Sequence, residues 1–329
     1  MNRTIQILET PEEMLEVEAL QRLVWPGEET DVVPAHMLLA ASHNGGLIIG
    51  AYLTSEEESP DDMGVTPSRI LAGFVFGFPG FYTTPDGPRL KHHSHMLGIH
   101  PKYRNLGLGF GLKRAQWQMV RHQGIDRITW TYDPLLSTNA WLNIARLGAV
   151  SNTYLREFYG PMRDQLNVGM PSDRLQVDWW VNSQRVYRRL SKRPRPALDL
   201  AHFTSADTIL LNSSLSHPSG TASRSETHSE AGDRPMEAQP PPRLPLDIET
   251  IMANLRGNMR HTPVLLLEIP ADYQALKASD PSLALQWRMA TRDLFEALFF
   301  TGYIATDFIH QPQPQNRSFY VFSYGESTL

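Results

Sequence analysis

The chain has 329 residues, enough for one large domain or two small ones, and 41% of them are hydrophobic, which is ample for a packed core. A formal net charge of −5 speaks against a bulk nucleic-acid binder, and the lack of cysteine excludes disulfides, thiolate metal sites and a cysteine nucleophile. Met1-Asn2-Arg3-Thr4-Ile5 carries no signal-peptide apolar core, and no apolar run reaches the ~18 residues of a membrane span. The expectation is a cytoplasmic protein with neither membrane nor nucleic acid as partner.

Thr4 to Leu8 reads as a strand. Thr10 then caps a helix opened by Pro11-Glu12-Glu13, with Leu15, Ala19, Leu20 and Leu23 at helical spacing. Pro34 to Ala41 reads as a second helix, Gly46 to Thr54 and Ile70 to Phe78 as strands, and the acidic Ser55 to Pro67 as the surface loop of their hairpin. Leu90 to Ile99 is the next strand. It leads through a glycine-rich turn into a helix whose apolar face is Leu108, Leu112, Ala115 and Met119, with Gly124 past its end. Arg127 to Tyr132 is a strand stopped by Asp133-Pro134. Ser137 or Thr138 can cap a helix through Arg146, and Ala149 to Tyr159 and Gln176 to Val181 are further strands.

From Ser213 to Pro245 the composition turns to Ser, Thr, Pro, Gly and Glu. Such a segment buries too little surface to offset its ordering entropy, and a disordered linker is expected there. Val264 to Ile269 is a strand, Pro281 to Phe300 a helix with Leu285, Met289, Leu294 and Leu298 near one side, and Tyr303 to Ile309 and Ser318 to Ser323 an antiparallel pair. The expected organisation is a first domain over 1–190, a linker over 191–247 and a C-terminal α/β extension over 248–329. That extension is too small to stand alone with ease and is expected to pack on the first domain or complete its core.

The turn Arg104-Asn105-Leu106-Gly107-Leu108-Gly109-Phe110-Gly111 offers backbone N–H groups and the positive end of a helix dipole to a phosphate. A Walker loop requires Gly-Lys-Ser/Thr, but Leu112-Lys113 follow Gly111 with no hydroxyl. Gly107, Gly109 and Gly111 also have the wrong spacing for a dinucleotide fingerprint. The turn resembles the Gln/Arg-x-x-Gly-x-Gly/Ala signature of the GNAT N-acyltransferase superfamily. Trp130-Thr131-Tyr132-Asp133, then Asn139-Ala140, then Leu147-Gly148-Ala149 follow in the order that family uses. The resemblance covers residues 1 to about 160 and is nearest to a branch of long bacterial proteins, some of whose relatives resemble amino-acid N-acyl or N-succinyltransferases.

The resemblance implies an α/β GNAT fold, a mixed, mostly antiparallel splayed sheet flanked by helices, with an α+β C-terminal extension. The extension's order, helix, Gly302-Tyr303, two strands, loosely echoes the end of such a domain. The implied activity is transfer of an acetyl or succinyl group from acyl-CoA, by direct attack, to the primary amine of a small molecule such as an amino acid. Acetyl-CoA or another acyl-CoA is the implied co-substrate, with no metal. A non-catalytic acyl-CoA-binding sensor and a protein N-acetyltransferase are the alternatives, and a homodimer is left open. The implied CoA contacts are Arg104, Asn105, Leu106, Gly107, Leu108, Gly109, Phe110, Gly111 and Asn139, with the backbone N–H of Leu97 or Ile99 on the thioester oxygen.

Histone-type members place a Glu eleven residues before the motif, where this chain has His93; His95 shares its strand face by period two. The competing reading of His92, His93, His95 and His100 is a strand that is partly surface and partly structural. Ile144 stands where many members carry the Tyr that protonates the thiolate. Tyr154 and Tyr132 are the substitutes considered, Tyr132 also as a substrate contact, against a plain packing role. Arg174 is a candidate clamp for a substrate carboxylate, against a surface ion pair with Asp173. Trp287-Arg288 and Thr291-Arg292 are left open between an acceptor surface and a solvated helix face.

Overall fold

The computed structural model describes residues 2–54, 69–160, 170–191, 199–204, 208–212, 244, 248–257, 264–312 and 316–325. The acidic hairpin loop and, except for Leu244, the segment 213–245 therefore fall outside the described residues; within the rest of the expected linker, 191–247, the structure has a short helix (Leu200–Thr204) and a strand (Thr208–Leu210) that joins the sheet. Strand β1 (Asn2–Ile7) leads to α1 (Pro11–Val24), where Thr10 and Glu13 form the reciprocal cap that their spacing foretells. The buried face of α1 is Met14, Val17, Leu20 and Gln21; Leu15 and Leu23, expected inside, are exposed. The helix is rotated because the Gln21 amide is drawn in to bond both the N–H and the C=O of Val33 in the link to α2 (Ala35–His43).

Strands β2 (Leu47–Thr54), β3 (Arg69–Thr84) and β4 (Gly87–Ile99) form an antiparallel meander, followed by α3 (Leu108–His122) and β5 (Arg127–Tyr132). Helix α4 (Ser137–Ala140) continues as a π-helical turn over Trp141–Arg146. Ser137 does not cap it: its hydroxyl donates to the Pro270 carbonyl in the C-terminal part. Strands β6 (Val150–Leu155) and β7 (Arg174–Trp180) and helix α5 (Gln184–Leu190) follow. Beyond them lie α6 (Leu200–Thr204), β8 (Thr208–Leu210), α7 (Ile248–Gly257), β9 (Val264–Ile269), α8 (Tyr273–Ser279), α9 (Pro281–Phe300), β10 (Tyr303–Gln311) and β11 (Arg317–Tyr324).

The eleven strands of the described residues belong to one sheet, ordered β1-β2-β3-β4-β5-β7-β6-β10-β11-β9-β8. Strands β5, β7 and β6 and strands β9, β11 and β10 therefore repeat one plan: a strand, helical structure, then two strands of which the second lies in the middle. The two sets meet where β6 runs antiparallel to β10, with Ser151 opposite Ala305. Each of these residues is the third after a left-handed glycine, Gly148 (φ 76°) and Gly302 (φ 94°). The ladder also slips at matching places, between Val150 and Thr153 in one set and between Ala305 and Asp307 in the other. Equivalent residues facing each other across an antiparallel pair describe a local two-fold axis through the seam. Arg185 and Arg189 of α5 tie the seam: Arg185 donates to the carbonyls of Gly148 and Thr306, and Arg189 pairs with Asp307 at 2.6 Å.

One hydrophobic cluster crosses the seam, joining Trp130, Ile144, Leu175 and Trp179 to Leu265, Trp287, Phe295 and Tyr320. The buried face of α9 is Ala284, Trp287, Arg288, Thr291, Arg292, Leu294, Phe295 and Leu298. Leu285 and Met289, expected on it, are exposed. The arginines are neither an acceptor surface nor a solvated face: Arg288 Nη2 reaches Asp133 Oδ2 at 2.5 Å, and Arg292 pairs with Asp173.

Candidate functional site

Strands β4 and β5 pair in parallel at His92↔Ile128 and His93↔Thr129 only. Past that point β4 continues to Ile99 without a β5 partner, and the sheet opens. The register between β3 and β4 jumps from Phe76↔Met96 to Gly77↔Ser94, which makes His95 a bulge at the root of the opening. The His100 N–H donates to the Ala72 carbonyl in β3. Strand alternation then turns the N–H groups of Leu97 and Ile99 to the other edge, into the opening.

The same strand runs into the glycine turn. Gly107 is the N-cap of α3 with φ 73°, and no side chain caps the helix. A Cβ on Gly107 would meet nothing within 4 Å, so the space in front of the helix is clear. The N–H groups of Leu108, Gly109 and Phe110 begin the helix with no side-chain acceptor, and Arg104 is exposed beside them. Asn105 is also left-handed (φ 67°), which bends the chain into the turn. Gly111 departs from its expected role: its N–H already donates to the Gly107 carbonyl at 3.1 Å. A Cβ there would lie 3.0 Å from Ile5 Cδ1, so this glycine serves close packing of α3 on β1.

The two faces of the sheet differ at the opening. On the α3 face, the buried Lys113 spans the root: Nζ donates to Ser94 Oγ of β4 at 2.8 Å and to Gln116 Oε1 at 3.1 Å, and lies 3.6 Å from the ring centre of Trp130 in β5. Burial drives its amine well below the usual lysine range. Gln116 in turn meets His92 Nε2 at 3.1 Å.

On the opposite face His93 and His95 pack with Phe76 and Phe78, their ring centres 6.0 Å apart. Burial, then the charges of His95, Lys91 and Lys113, push His93 down to about 4; burial also lowers His95. Across the opening, Thr131 Oγ1 lies 3.2 Å from the Tyr159 hydroxyl, and Arg174 stacks on the Tyr159 ring at 5.1 Å. Arg174 Nη1 donates to the Asp173 carbonyl, while the Asp173 carboxylate is taken by Arg292. Burial lowers the Arg174 guanidinium below its usual value. The fold thus brings His93, His95 and Arg174 onto one face.

Tyr132 and Tyr154 point to the other face. The Tyr132 hydroxyl lies 3.0 Å from that of Tyr320, which donates to the Pro134 carbonyl, and Tyr154 donates to Asp173 Oδ2 at 2.8 Å. Burial raises both phenols. Ile144 is buried in the core, and Asn139 is half-buried at the start of α4. Sequence reasoning gave no role to Lys113, Thr129 and Asp178, and it considered the two α9 arginines without their buried partners Asp133 and Asp173. Asp178 carried a readable signal: it alternates with Val177 and Trp179, which face the core. Among the described residues no group of three or more His, Asp or Glu side chains could hold a metal ion, and no helix is long and apolar enough to cross a membrane.

No protein-family model and no curated protein matches the sequence. Solved structures similar to about half of the chain include an acetyltransferase of the GNAT family from Streptococcus pneumoniae, 18% identical, covering 54% of this chain and 98% of its own, with a TM-score of 0.39. Arabidopsis thaliana NAA60 in complex with a bisubstrate analogue is 15% identical over 55% of this chain and 100% of its own, with a TM-score of 0.40. Aminoglycoside 6'-acetyltransferase type Ii is 16% identical over 55% of this chain and 99% of its own, with a TM-score of 0.39. The element order from β1 to β7, the parting of β4 from β5 and the glycine turn into α3 form the arrangement that the resemblance of the glycine turn implied for the first part of the chain.

Proposed function

We propose that the chain is an acyl-CoA-dependent N-acyltransferase, of acetyl or succinyl type, acting on the primary amine of a small molecule that also carries a carboxylate, such as an amino acid. The observation that carries this reading is one continuous stretch of chain: β4 presents its free edge at the opening, then turns into an uncapped helix N-terminus. The amides of Leu108, Gly109 and Phe110, the turn Asn105-Leu106-Gly107 and the Arg104 guanidinium suit a pyrophosphate. The pantetheine arm would lie along the β4 edge, with Asn139 on its far side. The N–H of Leu97 or Ile99 would donate to the thioester oxygen and stabilise the charge that develops there.

The acceptor would approach on the face of His93 and His95, which are neutral at pH 7 by the direction of their shifts. One of them takes a proton from the ammonium, directly or through water. The amine nitrogen then attacks the thioester carbon; the C–N bond forms, the C–S bond breaks and CoA leaves as thiolate. Arg174, with no carboxylate ion pair among the described residues, suits the acceptor's carboxylate.

A second reading, a non-catalytic acyl-CoA sensor, draws support from the buried Ile144 and from the commitment of Tyr132 and Tyr154 elsewhere. The test is thiol release from acetyl-CoA and succinyl-CoA with a panel of L-amino acids, polyamines and peptide N-termini. Turnover on an amino acid, lost in the H93A/H95A double variant with acyl-CoA binding retained, supports the enzyme. Tight acyl-CoA binding without turnover supports the sensor, and turnover on peptides alone supports a protein N-acetyltransferase.

A further inference from the structure

Three polar residues on three adjacent strands stand in one row across the sheet. His93 of β4 is opposite Thr129 of β5, and Thr129 is opposite Asp178 of β7. Directly paired residues share a face, and each strand is about 4.8 Å from the next. The row is the last pairing before β4 and β5 part, so it forms the floor of the opening on the histidine face.

Its middle member is unsatisfied. Thr129 is 1% exposed, and its Oγ1 has no hydrogen-bond partner. A buried hydroxyl in that state marks a place where a water or a reacting group belongs. Asp178 is 8% exposed, and both bonds it accepts from Arg127, from Nε at 2.9 Å and from Nη2 at 2.6 Å, end on Oδ1. Its other oxygen is outside that ion pair. Burial raises the carboxyl above the ordinary aspartate value, against the pull of Arg127 and Lys91.

We propose that Thr129 and Asp178 form a proton relay behind His93, which drains the proton that the acceptor amine gives up. The inference rests on the acyltransfer reading and names what that reading lacks, a sink for the proton. His93 alone is a weak base in this setting. Lys91 on its own strand and Lys113 from behind the sheet oppose a charged imidazole, and His95 beside it adds to that when protonated; Arg127 of β5 and Arg174 of β7 stand on the same face of the sheet. Asp178 is the anion in the row. As the amine N–H proton passes to His93, the imidazolium N–H donates to Thr129 Oγ1, directly or through one water. The Thr129 hydroxyl, which has no hydrogen-bond partner at rest, passes its own proton through one bridging water to Asp178 Oδ2. The net change is a neutral amine, a neutral imidazole and a protonated Asp178, which returns its proton to solvent after the thiolate leaves. Thr129 and Asp178 are positioning and relay residues; of the three in the row, His93 is the one that meets the substrate.

The test uses the full chain with acetyl-CoA and the best amine of the panel above. Thr129→Val removes the hydroxyl and leaves the Arg127–Asp178 pair in place. It and Asp178→Asn are expected to lower kcat ten- to a hundredfold, to shift the acidic limb of the kcat–pH profile and to leave the acetyl-CoA Kd within twofold. Thr129→Ser, which keeps the hydroxyl, is expected to restore most of the kcat. Wild-type turnover that Thr129→Val leaves within twofold, with the same pH profile, overturns the relay alone. Loss of acetyl-CoA binding in Thr129→Val also overturns it, by assigning the row a structural role. A wild-type chain with no turnover on any amine overturns the acyltransfer reading and the relay together.

Discussion

Arg292 of α9 grips Asp173 at the root of β7 with two parallel bonds, Nε to Oδ2 at 2.8 Å and Nη2 to Oδ1 at 2.9 Å. Asp173 is fully buried, and the Tyr154 hydroxyl and the Glu157 N–H complete its shell. Burial would raise this carboxyl, but these donors hold it below the ordinary value. The next residue is Arg174, so the C-terminal part of the chain fixes the point from which the candidate carboxylate clamp springs.

Removing one partner of such a pair strands a buried charge. Arg292→Met is expected to cost about 3–5 kcal/mol in denaturant unfolding. In an assay it is expected to raise the KM for the amine severalfold more than the Kd for acyl-CoA. Arg292→Lys will not restore the two-point geometry and is expected to behave like Met. An unchanged unfolding midpoint would remove the pair from any positioning role.

At the glycine turn, Gly107→Ala places a Cβ on a left-handed residue in open space. The expected cost is about 1 kcal/mol of strain with no steric clash. Arg104→Ala touches an exposed side chain and is expected to leave the melting temperature unchanged. Its acyl-CoA Kd should rise about tenfold, equivalent to about 1.4 kcal/mol, and more steeply at low salt. Calorimetric titration at two salt concentrations checks both.

The repeat across the seam predicts one acyl-CoA per chain. Strand β8 pairs with β9 as β4 pairs with β5, yet it does not part from it. The Leu211 N–H donates to the Leu266 carbonyl, and the Asn212 amide bonds both the carbonyl and the N–H of Glu268. The second opening is therefore zipped shut. A stoichiometry of one is expected by calorimetry, and two would contradict the comparison. Because one hydrophobic cluster crosses the seam, a chain ending at residue 190 is expected to lose its cooperative unfolding transition.

Acid should destabilise the fold through its buried histidines. Burial first, then Lys113 and His93, push His92 down to about 3, and His93 sits at about 4. Both folded values lie below the unfolded value of 6.5, so the unfolded chain takes up the proton first. Stability is then lost as pH falls from about 6.5 toward the folded values. For one fully shifted histidine the loss at pH 5 is about 2 kcal/mol relative to neutral pH. His92→Gln is expected to flatten the slope of melting temperature against pH between 6.5 and 5, and an unchanged slope would count against a buried neutral ring.

The order of elements from β1 to β7 was readable in the sequence because those elements carry local signals, the Thr10–Glu13 cap, the left-handed Gly124 past α3 and Asp133-Pro134 after β5, whereas α5, α6, β8, α7 and α8 went unread. The helix over Pro281–Phe300 was readable to the residue. Its buried face was not, since Arg288 and Arg292 are drawn inside by Asp133 and Asp173, more than a hundred residues away in sequence. Leu285 and Met289 are left outside by the same rotation. The seam at Ser151 and Ala305 was beyond local pattern for the same reason, although Gly148 and Gly302 mark matching turns. At the site the rings of His93 and His95 do lie together, but with His95 on a bulge that period-two spacing did not anticipate. Nor could that spacing show that Tyr132 and Tyr154 turn to the opposite face, because that depends on which strand faces the α9 side of the sheet.

The central claim is that an acyl-CoA lies in the opening between β4 and β5 with its pyrophosphate on the α3 turn. Calorimetric titration of acetyl-CoA into the wild-type chain and into Arg104→Glu tests it most directly. The account predicts saturable binding at one site per chain in the micromolar range, weakened at least tenfold by the charge reversal while the melting temperature stays within a degree. No heat of binding up to millimolar acetyl-CoA, or equal affinity in the two proteins, would contradict it.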